Sequence, residues 1–217
     1  MRVAVINEGS TKHRNADIIR VISKYDLTIY NVGMKNEEQE PDLNYLEIGF
    51  LSALLLNLNI VDFVIGGCGT GQGYMNAVLQ YPKTACGLII DPVDAFLYSK
   101  VNCGNCVSLS LNKGYGGVGG DLNLEYIFDN LFLKPLGGGY PPHRASIQNA
   151  ARHKLEELSE QAHYTCSEIL KKMDRQLLRS ALGFPGVMEL VESADETDMK
   201  IAELKKTVKE IYQELFH

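Results

Sequence analysis

No apolar run in this sequence is long enough to cross a bilayer. The longest, Phe50 to Leu58, is broken by Ser52 and Asn57 and reaches about half of the roughly 20 residues a spanning helix needs. The opening run Met1 to Ile6 is too short for a secretion signal. A basic block is also missing: the 21 Lys and Arg are scattered and the net charge is −6, which argues against nucleic-acid binding. The five cysteines (Cys68, Cys86, Cys103, Cys106, Cys166) are odd in number and lack a secretory context, so no disulfide framework is expected. Cys103 and Cys106 have the C-x-x-C spacing of a half metal site, but neither a second such pair nor a nearby pair of histidines completes four ligands. What remains is a soluble, cytoplasmic protein. Its 217 residues, 45% of them hydrophobic, suffice for one good core, or one domain with an appendage.

The most informative stretch is Ile65-Gly66-Gly67-Cys68-Gly69-Thr70-Gly71-Gln72-Gly73, which follows the apolar run Val61 to Ile65. Closely spaced glycines let a backbone take positive φ and bring its N–H groups near a ligand. Tyr74 to Leu79 reads as a helix start, so a thiol and a hydroxyl sit beside a candidate anion cradle. A tight strand-to-helix turn with an inert buried cysteine reads equally well from the loop alone.

Along the chain, strand and helix alternate. Val3–Ile6, Leu27–Tyr30, Phe63–Gly66, Cys86–Ile90 and Cys106–Leu109 read as strands. Between them lie helical patterns, one from Tyr45 with Asp42 as a candidate N-cap, others at Gly73–Leu79 and Pro92–Val101. This order predicts an α/β fold: a doubly wound, three-layer α/β/α, Rossmann-like parallel sheet of five strands. The Cys68 loop, the Asn7-Glu8-Gly9 turn and the Asp91-Pro92 turn are then expected to converge beyond the carboxyl ends of the strands. A glycine-rich flexible stretch at 113–120 and a helix over 122–131 follow. Residues 1–144 are taken as the α/β domain and 145–217 as a helical extension for packing or dimerisation. In the extension, one stripe runs from Ile147 to Leu177, and a second helix starts at the capping box Ser193-Ala194-Asp195-Glu196.

Cys68-Gly69-Thr70-Gly71-Gln72-Gly73 after a strand, with Pro41-Asp42 before it and Asp91 after it, resembles the ribose-5-phosphate isomerase B and galactose-6-phosphate isomerase family. Leu88-Ile89-Ile90-Asp91 is similar to a family strand ending in Cys-His-Asp, and Val101 to Val107 to its His-Asn-Asp-Ala-Asn-Val-Leu. Gly137-Gly138-Gly139 with His143 and Arg144 is similar to its Gly-Gly-Arg-His-x-x-Arg segment. The resemblance covers roughly residues 1–150.

It implies an aldose–ketose isomerase acting on a sugar phosphate through a cis-enediolate, without metal or organic cofactor, at sites shared within a homodimer or larger oligomer. Cys68 is then the base, since thiols beside helix N-termini ionise readily. Thr70 and the N–H groups of Gly67, Gly69, Gly71 and Gly73 are expected to hold the enediolate oxygens. Asn102 is expected on the sugar oxygens, Asp91 at the crevice, and His143 with Arg144 on a phosphate in the neighbouring subunit's site. Two departures stand out. Asn7-Glu8 replaces the family's Asp-His, and Ile90 replaces the histidine of Cys-His-Asp, leaving ring opening without a proton carrier there. A sugar that needs no ring opening is one consequence; a catalytically silent, sugar-phosphate-binding paralogue is the alternative. A nicotinamide-binding domain is disfavoured because the glycine loop follows the third strand, not the first.

Overall fold

The computed structural model describes residues 1–36, 38–113 and 119–217, so most of the glycine-rich stretch at 113–120 lies outside the described residues. Five strands form where the β-branched runs predict them: β1 (Arg2–Asn7), β2 (Thr28–Asn31), β3 (Phe63–Cys68), β4 (Cys86–Ile89) and β5 (Cys106–Ser110). All neighbours pair in parallel, in the order β2-β1-β3-β5-β4. Side chains alternate between faces. Val3 and Val5 enter the layer of α1 (Asn15–Ile22), α4 (Pro92–Leu97) and α5 (Gly120–Phe132), whereas Ala4 and Ile6 face α2 (Tyr45–Asn57) and α3 (Gln72–Val78).

Helix α2 explains the shape of the second layer. It buries ten of its 13 residues, which an amphipathic surface helix cannot do. One side lies on the sheet and the other is covered by C-terminal helices, so the run Phe50 to Leu58 is apolar because it sits between two layers. Its N-cap is Asn44, not Asp42. Asn44 accepts the Leu46 N–H at 2.7 Å and Glu47 reaches back to the Asn44 N–H at 3.0 Å. Asp42 instead lies against Gly9, with Lys12 Nζ 3.8 Å away.

The C-terminal region forms five helices rather than two: α6 (Ala145–Ala162), α7 (Cys166–Lys172), α8 (Arg175–Leu182), α9 (Val187–Glu192) and α10 (Met199–Phe216). The predicted single stripe breaks at His163 and Met173, both in extended conformations. Thr165 with Glu168 and Asp174 cap the restarts. Ser193 ends α9, and Asp198 caps α10. Helices α7 to α10 place Leu170, Leu178, Val187, Leu204 and Val208 in the core shared with α2. Full burial of each such side chain is worth about 2 kcal/mol. Helix α6 is different. None of its residues is fully buried, and Ile147, Leu155 and Leu158 are exposed. It rests on a π-helical turn, Tyr98–Asn102, and with the β4 edge bounds a groove of about 790 Å³ lined by Leu88, Leu97, Val101 and Leu155 among others. No described helix is long and apolar enough to cross a membrane.

Candidate active site

The strand order reverses between β1 and β3, and at such a switch point the loops leaving the two strands part and open a crevice. Cys68 closes β3 on one wall. It is buried, and its Sγ lies 3.9 Å from the Thr70 hydroxyl, which also accepts the Gln72 N–H at 3.3 Å. The loop is pinned from below. A Cβ on Gly66 would stand 2.1 Å from the ring of Tyr74, whose hydroxyl donates to Ser52 at 2.8 Å and lies 3.2 Å from Cys106 Sγ. Gly71, at φ +76°, takes a left-handed conformation that a side chain disfavours, and the Ser108 hydroxyl donates to its carbonyl. A Cβ on Gly67 would meet the Leu109 carbonyl at 2.4 Å; at Gly69 and Gly73 the nearest atoms, from Asn112 and Tyr45, would be 3.0 and 3.2 Å away. These glycines let β5 and its neighbours hold the loop closely. Gly71 N–H is turned back to the Cys68 carbonyl at 3.2 Å.

Glu8 faces this loop from β1. Asn7 pairs with Gly67, so the next residues, Glu8 and Cys68, fall side by side on one face of the sheet. Glu8 is only 8% exposed, and its Oε1 accepts the Gly69 N–H at 3.3 Å and the hydroxyl of Ser10. Asn7 points to the other face. Its Oδ1 accepts from Asn15 at 3.1 Å, and Asn15 exchanges two hydrogen bonds with Asn31, so this buried chain of amides fixes β1, α1 and β2 together.

The remaining predicted residues stand apart from Cys68 within one chain. Asp91 follows β4, two strands or about 10 Å across the sheet. Its carboxylate caps α4 through the Val93 and Asp94 N–H groups at 2.8 and 2.9 Å. Asn102 ends the π-helical turn and is exposed at the amino-terminal side of β5. There Asn105 accepts the Val64 N–H, a point about 13 Å back along β3 from Cys68. His143 and Arg144 are exposed on the turn that opens α6, the helix that rests on the same π-helical segment. One chain therefore carries two separated sets, Cys68 with Glu8 at the carboxyl end of the central strand β3, and Asn102, His143 and Arg144 on the π-helical turn and the turn that opens α6.

Cys103 and Cys106 have separate partners. The Cys103 thiol donates to the Ser99 carbonyl at 2.8 Å and Cys106 contacts Tyr74, and among the described residues no three of His, Cys, Asp and Glu are grouped to hold a metal. Hydrogen bonding to Cys106, then burial, pushes the Cys86 thiol up; burial above all pushes up the Tyr74 and Tyr98 phenols.

The ribose/galactose isomerase family model matches residues 3–127 of the chain. The chain belongs to this family. It is accordingly a sugar isomerase of the aldose–ketose type. Among solved structures, a 4-deoxy-L-threo-5-hexosulose-uronate ketol-isomerase complexed with a tartrate is 36% identical, with TM-score 0.88 over 97% of this chain and 100% of that one. A ribose-5-phosphate isomerase from Vibrio parahaemolyticus is 33% identical, with TM-score 0.89 over 97% and 99%. The type B ribose 5-phosphate isomerase of Trypanosoma cruzi, at 18% identity and TM-score 0.59 over 74% of this chain and 97% of its own, shares the fold. No curated protein matches the chain.

Three serines of this isomerase were not singled out from the sequence. Ser10 holds Glu8, Ser108 holds Gly71, and Ser110 is the register partner of Cys68, its buried hydroxyl lacking a hydrogen bond among the described residues. The signal was present in β5, where Cys106, Ser108 and Ser110 put small polar side chains on the face that should otherwise be apolar.

Proposed function

We propose that the chain interconverts an acyclic aldose and its ketose through a cis-enediolate, with Cys68 moving the proton between C2 and C1. The observation that carries this reading is Cys68 itself, buried at the carboxyl end of β3 with Thr70 Oγ1 3.9 Å from its sulfur. A thiolate is a competent carbon base, and the threonine hydroxyl is a fixed donor for the oxygen that gains charge. A purely binding cradle gains little from a positioned thiol.

The substrate class follows from what the chain lacks. The histidines of two motifs it resembles, Cys-His-Asp and His-Asn-Asp, are replaced by aliphatic residues, Ile90 (39% exposed) and Val101, so neither position can carry a ring proton. A 4-deoxy-5-hexosulose uronate has no hydroxyl at C4 or C5 with which its aldehyde could close the usual five- or six-membered hemiacetal. Such a substrate reaches the enzyme with its aldehyde free, and the similarity of this chain to a ketol-isomerase for that uronate supports the assignment. A sugar phosphate is the second reading, favoured by the His143–Arg144 pair as an anion clamp.

The complete site is shared between two copies. Asn102, His143 and Arg144 lie apart from Cys68, on the π-helical turn and the turn that opens α6, and the exposed apolar side chains of α6 beside the β4 groove offer the face on which a second copy packs. Purified protein incubated with 4-deoxy-L-threo-5-hexosulose uronate, ribose 5-phosphate and a panel of tetrose to hexose phosphates tests the substrate. Turnover of the uronate well above the phosphates is expected. Preference for a phosphate would favour the second reading, and thermal stabilisation without any turnover would indicate a silent binder.

A further inference from the structure

Isomerisation moves two protons, one between carbons and one between oxygens, and Cys68 accounts for the first only. While the enediolate exists, its sulfur holds the carbon proton, so a different group must carry the hydroxyl proton from O2 to O1. We propose that Glu8 is that group and that the Ser110 hydroxyl seats the substrate oxygen beside it. This rests on Cys68 as the carbon base and adds a second catalytic residue to the same site.

The placement is dictated by strand register. Glu8 lies beside Cys68 on the β1 flank and Ser110 lies beside it on the β5 flank, all three on one face of the sheet. Their polar atoms are under-used. Both hydrogen bonds accepted by the Glu8 carboxylate, from Ser10 and from Gly69, go to Oε1, while Oε2 has no partner among the described residues. Ser110 is 2% exposed, and its Oγ has no partner either. A buried hydroxyl without a partner is destabilising, and a substrate oxygen arriving between these groups supplies what is missing. Other carboxylates near the crevice are engaged. Asp42 is set against Lys12, and Asp91 caps α4.

The step balances without a co-reactant. The Cys68 thiolate takes the C2 proton, the C–H electron pair becomes the C1=C2 bond, and the carbonyl π pair moves to O1. The O2 proton passes to Glu8 Oε2 and is delivered to O1; C2=O2 then forms as C1 takes the proton back from sulfur. Both side chains end as they began.

The test uses Glu8→Gln, which keeps an acceptor for Ser10 and Gly69, together with Glu8→Asp and Ser110→Ala. Each is assayed in D₂O on the panel member that the wild type interconverts best. General acid–base groups contribute 10²–10⁴-fold, so turnover by Glu8→Gln is expected to fall by about that factor. Solvent deuterium should still enter at C2 of unreacted substrate at a rate within about tenfold of wild type, because Cys68 is untouched, and Glu8→Asp should recover part of the turnover. Ser110→Ala should lose turnover and exchange together, while its thermal midpoint stays level or rises as an unpartnered hydroxyl is removed. Glu8→Gln turnover within threefold of wild type, equal loss of exchange and turnover in Glu8→Gln, or an active Ser110→Ala would each overturn the assignment. Loss of exchange in Cys68→Ala concerns the base reading separately.

Discussion

Glu8 accepts a hydrogen bond from the backbone N–H of Gly69 at 3.3 Å, joining the end of β1 to the loop that carries Cys68 across 61 residues of sequence. The contact exists because β1 and β3 are neighbours although they are not consecutive strands, and it brings the Asn7-Glu8-Gly9 turn onto the Cys68 loop.

Gly66→Ala should destabilise the fold by on the order of 3 kcal/mol, because its Cβ would press into the buried Tyr74 ring, which is packed among other side chains. For a chain of this size that corresponds to a fall in thermal midpoint of roughly 10 °C. Differential scanning calorimetry measures it, and Tyr74→Leu in the same chain should recover part of the loss.

Stability should decline in alkali. Burial pushes the Cys166 thiol up to about 12, above the ordinary thiol range, so the unfolded chain gives up its proton first as pH rises. The contribution is fully present below the ordinary thiol value and is lost between there and about 12. One thiol accounts for at most about 1.4 kcal/mol per pH unit in that window. Urea midpoints between neutral pH and mild alkali, compared for the wild type and Cys166→Ala, check this: the variant's curve should be the flatter of the two.

A site shared between two copies, as proposed above, predicts complementation. Cys68→Ala and Arg144→Ala homo-oligomers should each be impaired, whereas mixed oligomers of the two should regain activity at sites built from one intact Cys68 and one intact Arg144. Co-expression with two affinity tags isolates the mixed species. Activity no higher than the mean of the two parents would indicate that each chain works alone.

Much of the fold was legible in the sequence because its signals are local. The β-branched runs at Val3, Phe63 and Cys106 begin and end within one or two residues of the observed strands. The stripe from Ile147 to Leu177 was misleading for the opposite reason: apolar spacing continues across His163 and Met173, where neither glycine nor proline marks the break. Thr165-Cys166-Ser167-Glu168 has the capping-box pattern and forms one, while Ser193-Ala194-Asp195-Glu196 has it and does not, since Ser193 is already the end of α9. For the site, the Cys68 loop was visible as a motif. The convergence of the Asn7-Glu8-Gly9 turn with it was legible from the alternation of strands and helices, and the Glu8–Gly69 hydrogen bond bears that out; the place of Ser110 was not, because it depends on which strand becomes the neighbour of β3. The separation of Asn102 and Arg144 from Cys68 likewise follows from topology and not from spacing.

Removal of the carbon proton by Cys68 can be watched by proton NMR in D₂O as the exchange of the substrate C2 hydrogen with solvent in wild type and Cys68→Ala, with thermal midpoints confirming that both are folded. Ready exchange is expected in the wild type, with a fall of at least about 10²-fold in the variant. Exchange in Cys68→Ala at the wild-type rate would contradict it.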